Sequence, residues 1–234
     1  MTDPAIDPAI ASPRIARVGG WFGIAGPVLL TVYFAAPVVA GWPYAGGTDA
    51  QLTAYARSHE SLFYAGAWLQ VTGALLSVVF FLVLATRTGK GACFVGRLVT
   101  VGAALLIGVV VMEATFLIAV PMAAAAGSGA GVSTAFTLSN GVFARVFPLA
   151  PAPLLFAATG LALRHTAVLP RAFAPLALVV AGLFELAGIA AIFSTAGLIA
   201  AIAMSILQEV WIVAAAIALL LRARTTTAAA PVNP

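Results

Sequence analysis

Three glutamates lie inside long apolar stretches of the sequence, at Glu113, Glu185 and Glu209. A charged side chain at the centre of a bilayer costs about 2.5–3.5 kcal/mol on insertion scales, so such residues usually face a protein interior or a cavity. Two carboxyl groups in one cavity can donate and accept protons during a reaction. We therefore predict all three glutamates as catalytic candidates, with Glu185 and Glu209 as the acid and base, and neither role is assigned to either residue.

The candidate side chains share a level in the outer half of the membrane. At about 1.5 Å per helical residue, Glu113 lies roughly 24 Å above Arg97, which flanks its stretch. Other polar and aromatic residues lie at comparable heights and are predicted to bind a ligand in the same cavity: Gln70, Arg145, Tyr33, Asn140, Phe116, Phe184 and Trp211. Acids and aromatic faces together suit a cation, an amphiphile or an apolar molecule that becomes transiently cationic.

Arg145 has two interpretations. An ion pair with one of the glutamates would greatly reduce the cost of burying both charges. Alternatively, if the fourth apolar stretch begins at Val146, the Arg145 side chain would extend to the outer membrane interface.

The composition excludes a soluble globular domain. Hydrophobic residues make up 63% of the 234 residues and charged residues 8%, whereas a soluble domain has about 25% charged residues. Six apolar stretches are long enough to cross about 30 Å of hydrocarbon: about 18–42, 61–86, 98–122, 134–163, 172–194 and 198–221. Because backbone groups in lipid must be satisfied internally, we predict an all-α integral membrane protein with six transmembrane helices in one bundle.

The basic residues predict the orientation of this bundle. With the N-terminus in the cytoplasm, the cytoplasmic segments hold nine basic residues: Arg14, Arg17, Arg87, Lys90, Arg97, Arg164, Arg171, Arg222 and Arg224. The external loops hold only Arg57, and Arg145 lies at the edge of the fourth stretch. This bias follows the positive-inside rule. We therefore predict that both termini lie in the cytoplasm.

The remaining segments are short. Residues 1–16 and 225–234 are predicted to be disordered cytoplasmic tails around a transmembrane domain of residues 17–224. In the external loop 43–60, Thr48 is a candidate N-cap of a short amphipathic helix, which we expect to lie flat on the outer surface.

The sequence argues against redox cofactors, metals and nucleic acid. Cys93 is the single cysteine, so no disulfide or multi-cysteine metal site is available, and the apolar stretches hold no paired histidines for a haem. We predict no cofactor and no metal. The net charge of +4 is explained by loops that face anionic lipid headgroups, so the predicted partners are the lipid bilayer and a lipophilic small molecule. The sequence does not indicate an oligomeric state.

Two segments carry a resemblance. The first apolar stretch is followed by an external segment, residues 48–56 (TDAQLTAYA), and the fifth is introduced by the cytoplasmic turn Val168-Leu169-Pro170-Arg171. This layout resembles a broad class of small multi-pass membrane proteins of high-GC bacteria. The resemblance implies the fold and a location in the bacterial inner membrane, and it carries no substrate or catalytic residue.

Three functional hypotheses remain open. In the first, a lipophilic small molecule enters from the outer half and undergoes acid–base chemistry of the cyclase or isomerase type. In the second, the protein is a small proton-coupled transporter in which the glutamates form a relay and Arg145 is a gating partner. In the third, it is a structural membrane subunit whose glutamates face a partner rather than a cavity.

Overall fold

A computed structural model describes residues 12–43 and 46–228, which form eight α-helices and one π-helical segment. The elements are α1 (Pro13–Val39), α2 (Asp49–Ser58), α3 (Glu60–Arg87), α4 (Phe94–Ala125), α5 (Gly129–Gly141), the π-helical segment (Val142–Val146), α6 (Pro151–Leu163), α7 (Phe173–Phe193) and α8 (Thr195–Ala228). Within the described residues, five helices are long and apolar enough to cross a membrane: α1, α3, α4, α7 and the Ala203–Arg224 part of α8. The protein is therefore all-helical, and its apolar helices indicate that it is embedded in a membrane.

Six helices form a closed ring. Helix α1 packs against α3, α3 against α4, α4 against α6, α6 against α7, α7 against α8, and α8 against α1. The shorter helices α2 and α5 pack against each other and against α4. Such a ring gives every one of its six helices an inward face, so side chains from different helices can meet at its centre.

Glycines on α1 allow its close approach to α3. A Cβ atom on Gly26 would lie 2.7 Å from the carbonyl oxygen of Gly73 and 2.8 Å from the backbone nitrogen of Ser77. Small residues bring helix backbones together in this way in membranes, where the hydrophobic effect does not drive helix association. The contact holds the part of α3 that carries Ser77 against α1.

The fourth apolar stretch, predicted to span the membrane over residues 134–163, is interrupted in the structure. Helix α5 ends at Gly141, the π-helical segment follows, and α6 begins only at Pro151. Pro148, Pro151 and Pro153 lack the backbone N–H that an uninterrupted helix needs, and Pro151 occupies the first turn of α6, where that N–H is not required. The break places short irregular backbone beside the centre of the ring.

The ends of the chain differ from the predicted tails in their bounds. Helix α1 begins at Pro13, and the Ser12 hydroxyl accepts a hydrogen bond from the backbone N–H of Arg14 at 3.2 Å. Helix α8 continues to Ala228, past the predicted start of the C-terminal tail at residue 225. The rest of the predicted tails, residues 1–11 and 229–234, lies outside the described residues.

The short helix predicted to begin after Thr48 is confirmed as α2. Its N-terminus carries a capping box in which the Thr48 hydroxyl accepts from the Gln51 N–H and the Gln51 side chain accepts from the Thr48 N–H, at 3.3 and 2.9 Å. The helix is tied to its neighbours by polar contacts. The Ser133 hydroxyl donates to the carboxylate of Asp49, and Arg57 donates to the Ala124 carbonyl at 3.1 Å.

Candidate functional site

A cavity of about 40 Å³ lies among α1, α3, α4, α6 and α8. We call it the inner cavity. Glu113 of α4 and Glu209 of α8 both line it, and both are buried. Its other polar lining residues are Gln70, Ser77 and Gln208, and its aromatic ones are Phe34, Phe81, Phe143 and Phe147. The structure therefore brings two of the three predicted glutamates to one aromatic-lined space.

Glu113 is held by two donors from neighbouring helices. The Tyr33 hydroxyl of α1 donates to Oε1 at 2.9 Å, and the Gln70 amide nitrogen of α3 donates to Oε2. Because Gln70 donates through its nitrogen, its Oε1 atom is left as an acceptor. These bonds fix the Glu113 carboxyl and join α1, α3 and α4 through one buried polar group.

Glu209 has one donor. The Gln208 amide nitrogen donates to Oε1 at 3.0 Å, while Oε2 is buried and has no hydrogen-bond partner among the described residues. Two further buried atoms of the inner-cavity lining share this condition, Gln70 Oε1 and Ser77 Oγ. A buried polar atom without a partner is unfavourable by about 1–3 kcal/mol. The inner cavity therefore presents oxygen acceptors that a bound donor would satisfy.

A second cavity of about 100 Å³, the outer cavity, lies next to the first. Tyr33, Trp42, Ser139 and Asn140 line it, and the Trp42 indole nitrogen donates to Asn140 at 3.4 Å. Since Trp42 closely follows α1 and precedes the α2 segment, this cavity extends towards the α2 end of the bundle.

Three side chains line both cavities: Phe34, Glu113 and Phe143. The Phe34 and Phe143 rings are in contact, with centroids 5.3 Å apart. Phe143 belongs to the π-helical segment, an irregularity that is frequent at functional sites. These two rings and the Glu113 carboxyl thus form the partition between the cavities.

Glu185 does not join the glutamate pair. Its side chain is exposed on α7, and Glu185 lines neither cavity. The buried face of α7 consists of small residues and one aromatic, Ala177, Ala181, Phe184 and Gly188. Glu185 follows Phe184 by one residue, which rotates it by about 100° around the helix. The two glutamates that share a cavity are therefore Glu113 and Glu209, and Glu185 lies apart from them.

Arg145 also lies away from both cavities. Its side chain is exposed, and its Nε donates to the carbonyl oxygen of Ala191 at 3.2 Å. Ala191 is in the last turn of α7, which ends at Phe193, where carbonyls have no partner within the helix. Arg145 thus caps the C-terminal end of α7.

Only some of the remaining predicted residues line a cavity. Gln70, Tyr33 and Asn140 line a cavity, whereas Phe116, Phe184 and Trp211 line neither. Trp211 stacks on Phe81, an inner-cavity residue, with centroids 6.2 Å apart. Phe184 is fully buried against Phe147 and Phe156. These two aromatic residues pack against side chains that line the inner cavity.

The sequence reasoning missed Gln208, Ser77 and Phe34 as site residues. Gln208 directly precedes Glu209 inside an apolar stretch, and an amide in such a position is itself a sign of a buried polar site. Ser77 and Phe34 carry no comparable sign, because small polar and aromatic residues are common in membrane helices.

No protein-family model, curated protein or solved structure matches this chain.

Proposed function

We propose that the protein binds a lipophilic small molecule within the membrane, through a cationic or hydrogen-bond-donating group held between Glu113 and Glu209. One observation carries the proposal: two buried glutamates from different helices line one aromatic cavity whose acceptors Glu209 Oε2 and Gln70 Oε1 lack a donor among the described residues. A protonated amine supplies three donors and no acceptor. Aromatic rings additionally attract a desolvated cation.

The cavity sizes limit the ligand. The inner cavity of about 40 Å³ has room for about three water molecules at 10–15 Å³ each, and therefore for a small head group. The outer cavity adds about 100 Å³ for an apolar tail that passes Phe34 and Phe143. Pockets that bind drug-sized ligands have volumes of about 300–1,000 Å³. Cyclase or isomerase chemistry on an isoprenoid would thus require the partition to move, with Glu113 and Glu209 as the acid–base pair.

The proposed setting is the bacterial inner membrane, with six crossings and both termini in the cytoplasm. Helix α6 has 13 residues, about 20 Å in length, so the fourth crossing would include the π-helical segment. Contacts at the two ends support this topology. Lys90 and Arg222 reach carbonyls of the turn at residues 164–167, which gathers basic residues at one end, whereas α2 and Arg145 lie towards the other. The resemblance to small multi-pass proteins of high-GC bacteria fits this placement.

The test is a ligand search on purified protein by native mass spectrometry. The wild type is compared with Glu113→Gln and Glu209→Gln, and Glu185→Gln is the matched control because it makes the same change on an exposed face. We expect a lipophilic adduct on the wild type and on Glu185→Gln, and roughly tenfold weaker retention on the other two variants.

Added probes then define the binding group. Hexylamine and 1-hexanol have the same alkyl chain, but only hexylamine carries a charged head group. We expect hexylamine to raise the thermal stability of the wild type more than hexanol does, and this difference to disappear in Glu209→Gln. Equal effects of both probes on all variants would overturn the proposal.

A second candidate, proton-coupled transport, is favoured by the position of Glu113. Its carboxyl lines both cavities, as a relay group between two chambers would. In this function the small cavities hold water rather than a ligand. Proton flux in liposomes that falls in Glu113→Gln but not in Glu185→Gln, with no retained adduct, would favour transport over ligand binding.

A further inference from the structure

A third cavity, of about 620 Å³, lies where α6 ends, α7 begins and the last turns of α8 pass. We call it the basic cavity. Arg164, His165, Arg171 and Arg222 line it. Its volume falls within the range of about 300–1,000 Å³ that is typical of small-molecule sites. It shares no lining residue with the inner or outer cavity.

The turn that carries Arg164 is fixed from two sides. Lys90, from the loop between α3 and α4, donates through Nζ to the Arg164 carbonyl at 2.9 Å, and Arg222 of α8 donates to the Ala167 carbonyl. His165 has a φ of +62°, a left-handed conformation that is uncommon for a residue other than glycine. The basic side chains are therefore presented by an anchored turn rather than by a free loop.

The basic cavity has no carboxylate of its own. Its lining residues include no Asp or Glu. The acidic residues of the described ranges are Asp49, Glu60, Glu113, Glu185 and Glu209. All of them belong to the external segment or to the interiors of the spans, while Asp3 and Asp7 lie outside the described residues. Three arginines and a histidine thus line a concave space whose lining holds no carboxylate among the described residues.

We propose that the basic cavity binds a phosphate group. Arginine presents a planar fork of donors that matches phosphate oxygens two at a time. Leu163, Leu169 and Pro175 add an apolar wall, which suits a phosphate attached to a lipid. Basic pockets between membrane helices on the cytoplasmic side bind lipid phosphates in this manner. The positive-inside bias explains why arginines occur at this end, but not why three of them converge on one cavity.

The test measures binding of phosphatidylglycerol, phosphatidylcholine and inorganic phosphate to the full chain by native mass spectrometry and thermal shift. The double variant Arg164→Gln/Arg171→Gln removes two of the three guanidinium groups that line the cavity. Arg97→Gln is the matched control, because Arg97 is an exposed residue in the first turn of α4 and does not line the cavity. We expect roughly tenfold weaker phosphatidylglycerol binding in the double variant and no change in the control.

The probes separate the two sources of phosphate. A preference for phosphatidylglycerol that the double variant loses supports a lipid headgroup. Binding of inorganic phosphate that the double variant loses, without a lipid preference, supports a soluble phosphate. The variant Arg164→Lys/Arg171→Lys keeps both charges but removes the planar guanidinium groups. Its binding should therefore fall between that of the wild type and that of Arg164→Gln/Arg171→Gln. Equal loss in Arg97→Gln, or no loss in the double variant, would show a diffuse surface charge and overturn the proposal.

Discussion

At the scale of single residues, the hydrogen bonds of Glu113 determine what the inner cavity offers. Tyr33 and Gln70 donate to its two oxygens, which fixes the Gln70 amide with its oxygen as a free acceptor. Glu209 accepts one bond and retains one oxygen without a partner among the described residues. One glutamate is therefore largely satisfied by the protein, and the other is the better partner for a ligand.

Tyr33→Phe removes a donor to Glu113 and leaves the ring in place. We expect a loss of about 0.5–1.5 kcal/mol in the free energy of unfolding, the usual net contribution of a hydrogen bond inside a protein or membrane. Equilibrium unfolding in mixed micelles measures it. Tyr64→Phe is the control, since Tyr64 is 41% exposed on α3. Equal losses in both variants would contradict the structural role of the Tyr33 hydroxyl.

Arg145→Met tests the cap on α7. A cation near a helix C-terminus contributes about 0.3–1 kcal/mol, so we expect a loss of that size in unfolding free energy. Ligand retention and proton flux should stay unchanged, because Arg145 lines neither cavity. In the control Arg97→Met, the lost cation comes from a helix N-terminus, where it was not stabilising. A strong effect of Arg145→Met on proton flux would restore its predicted gating role.

The sequence predicted which residues are polar within the spans but not which way they face. Glu185 and Glu209 are both surrounded by apolar residues, and hydrophobicity cannot distinguish the core from lipid. Residue size can, because small residues mark the packed face of a membrane helix. On α8, Ser205 and Ala216 bracket Glu209 on the buried face, whereas Glu185 lies off the buried Ala177–Gly188 face of α7.

At the scale of elements, the break between α5 and α6 shapes the site. The three prolines of the fourth stretch favour a distorted helix, but they do not indicate the π-helical segment that places Phe143 in the partition. The π-helical turn arises without a proline inside it, so its sequence carries no local mark. The N-cap of α2 was predicted from Thr48, a residue type preferred at that position, and the structure adds Gln51, which completes a capping box.

Gly26→Ala tests the close approach of α1 and α3. The added Cβ would meet backbone atoms of Gly73 and Ser77 at less than 3 Å, and backbone atoms cannot move aside as a side chain end can. We expect a destabilisation of about 1–3 kcal/mol, as for an overpacked core. Gly182→Ala on α7 is the control, because nothing lies within 4 Å of its added Cβ. An unchanged Gly26→Ala variant would mean that the two helices separate readily.

At the scale of the whole molecule, composition predicted an apolar helical protein, and the ring of six helices could not be read from it. The order of helices around the ring depends on which faces match, such as the Gly26–Gly73 contact of α1 and α3. The clustering of basic residues could be predicted from the sequence. Most basic residues lie in the segments predicted to be cytoplasmic, and three of them lie together at one end of the structure: Lys90, Arg164 and Arg222.

The single cysteine makes the orientation directly testable. Cys93 is exposed between α3 and α4, in a segment that the proposed topology puts in the cytoplasm. A membrane-impermeant maleimide should therefore label it only after the cells are permeabilised. In Cys93→Ser/Ala54→Cys the cysteine moves to the exposed face of α2, and labelling should occur on intact cells. Labelling of Cys93 on intact cells would show that the orientation is opposite to the proposed one and that the basic cavity lies on the outer face. The phosphate site would then face the outer leaflet, while the glutamate cavities would open towards the cytoplasm.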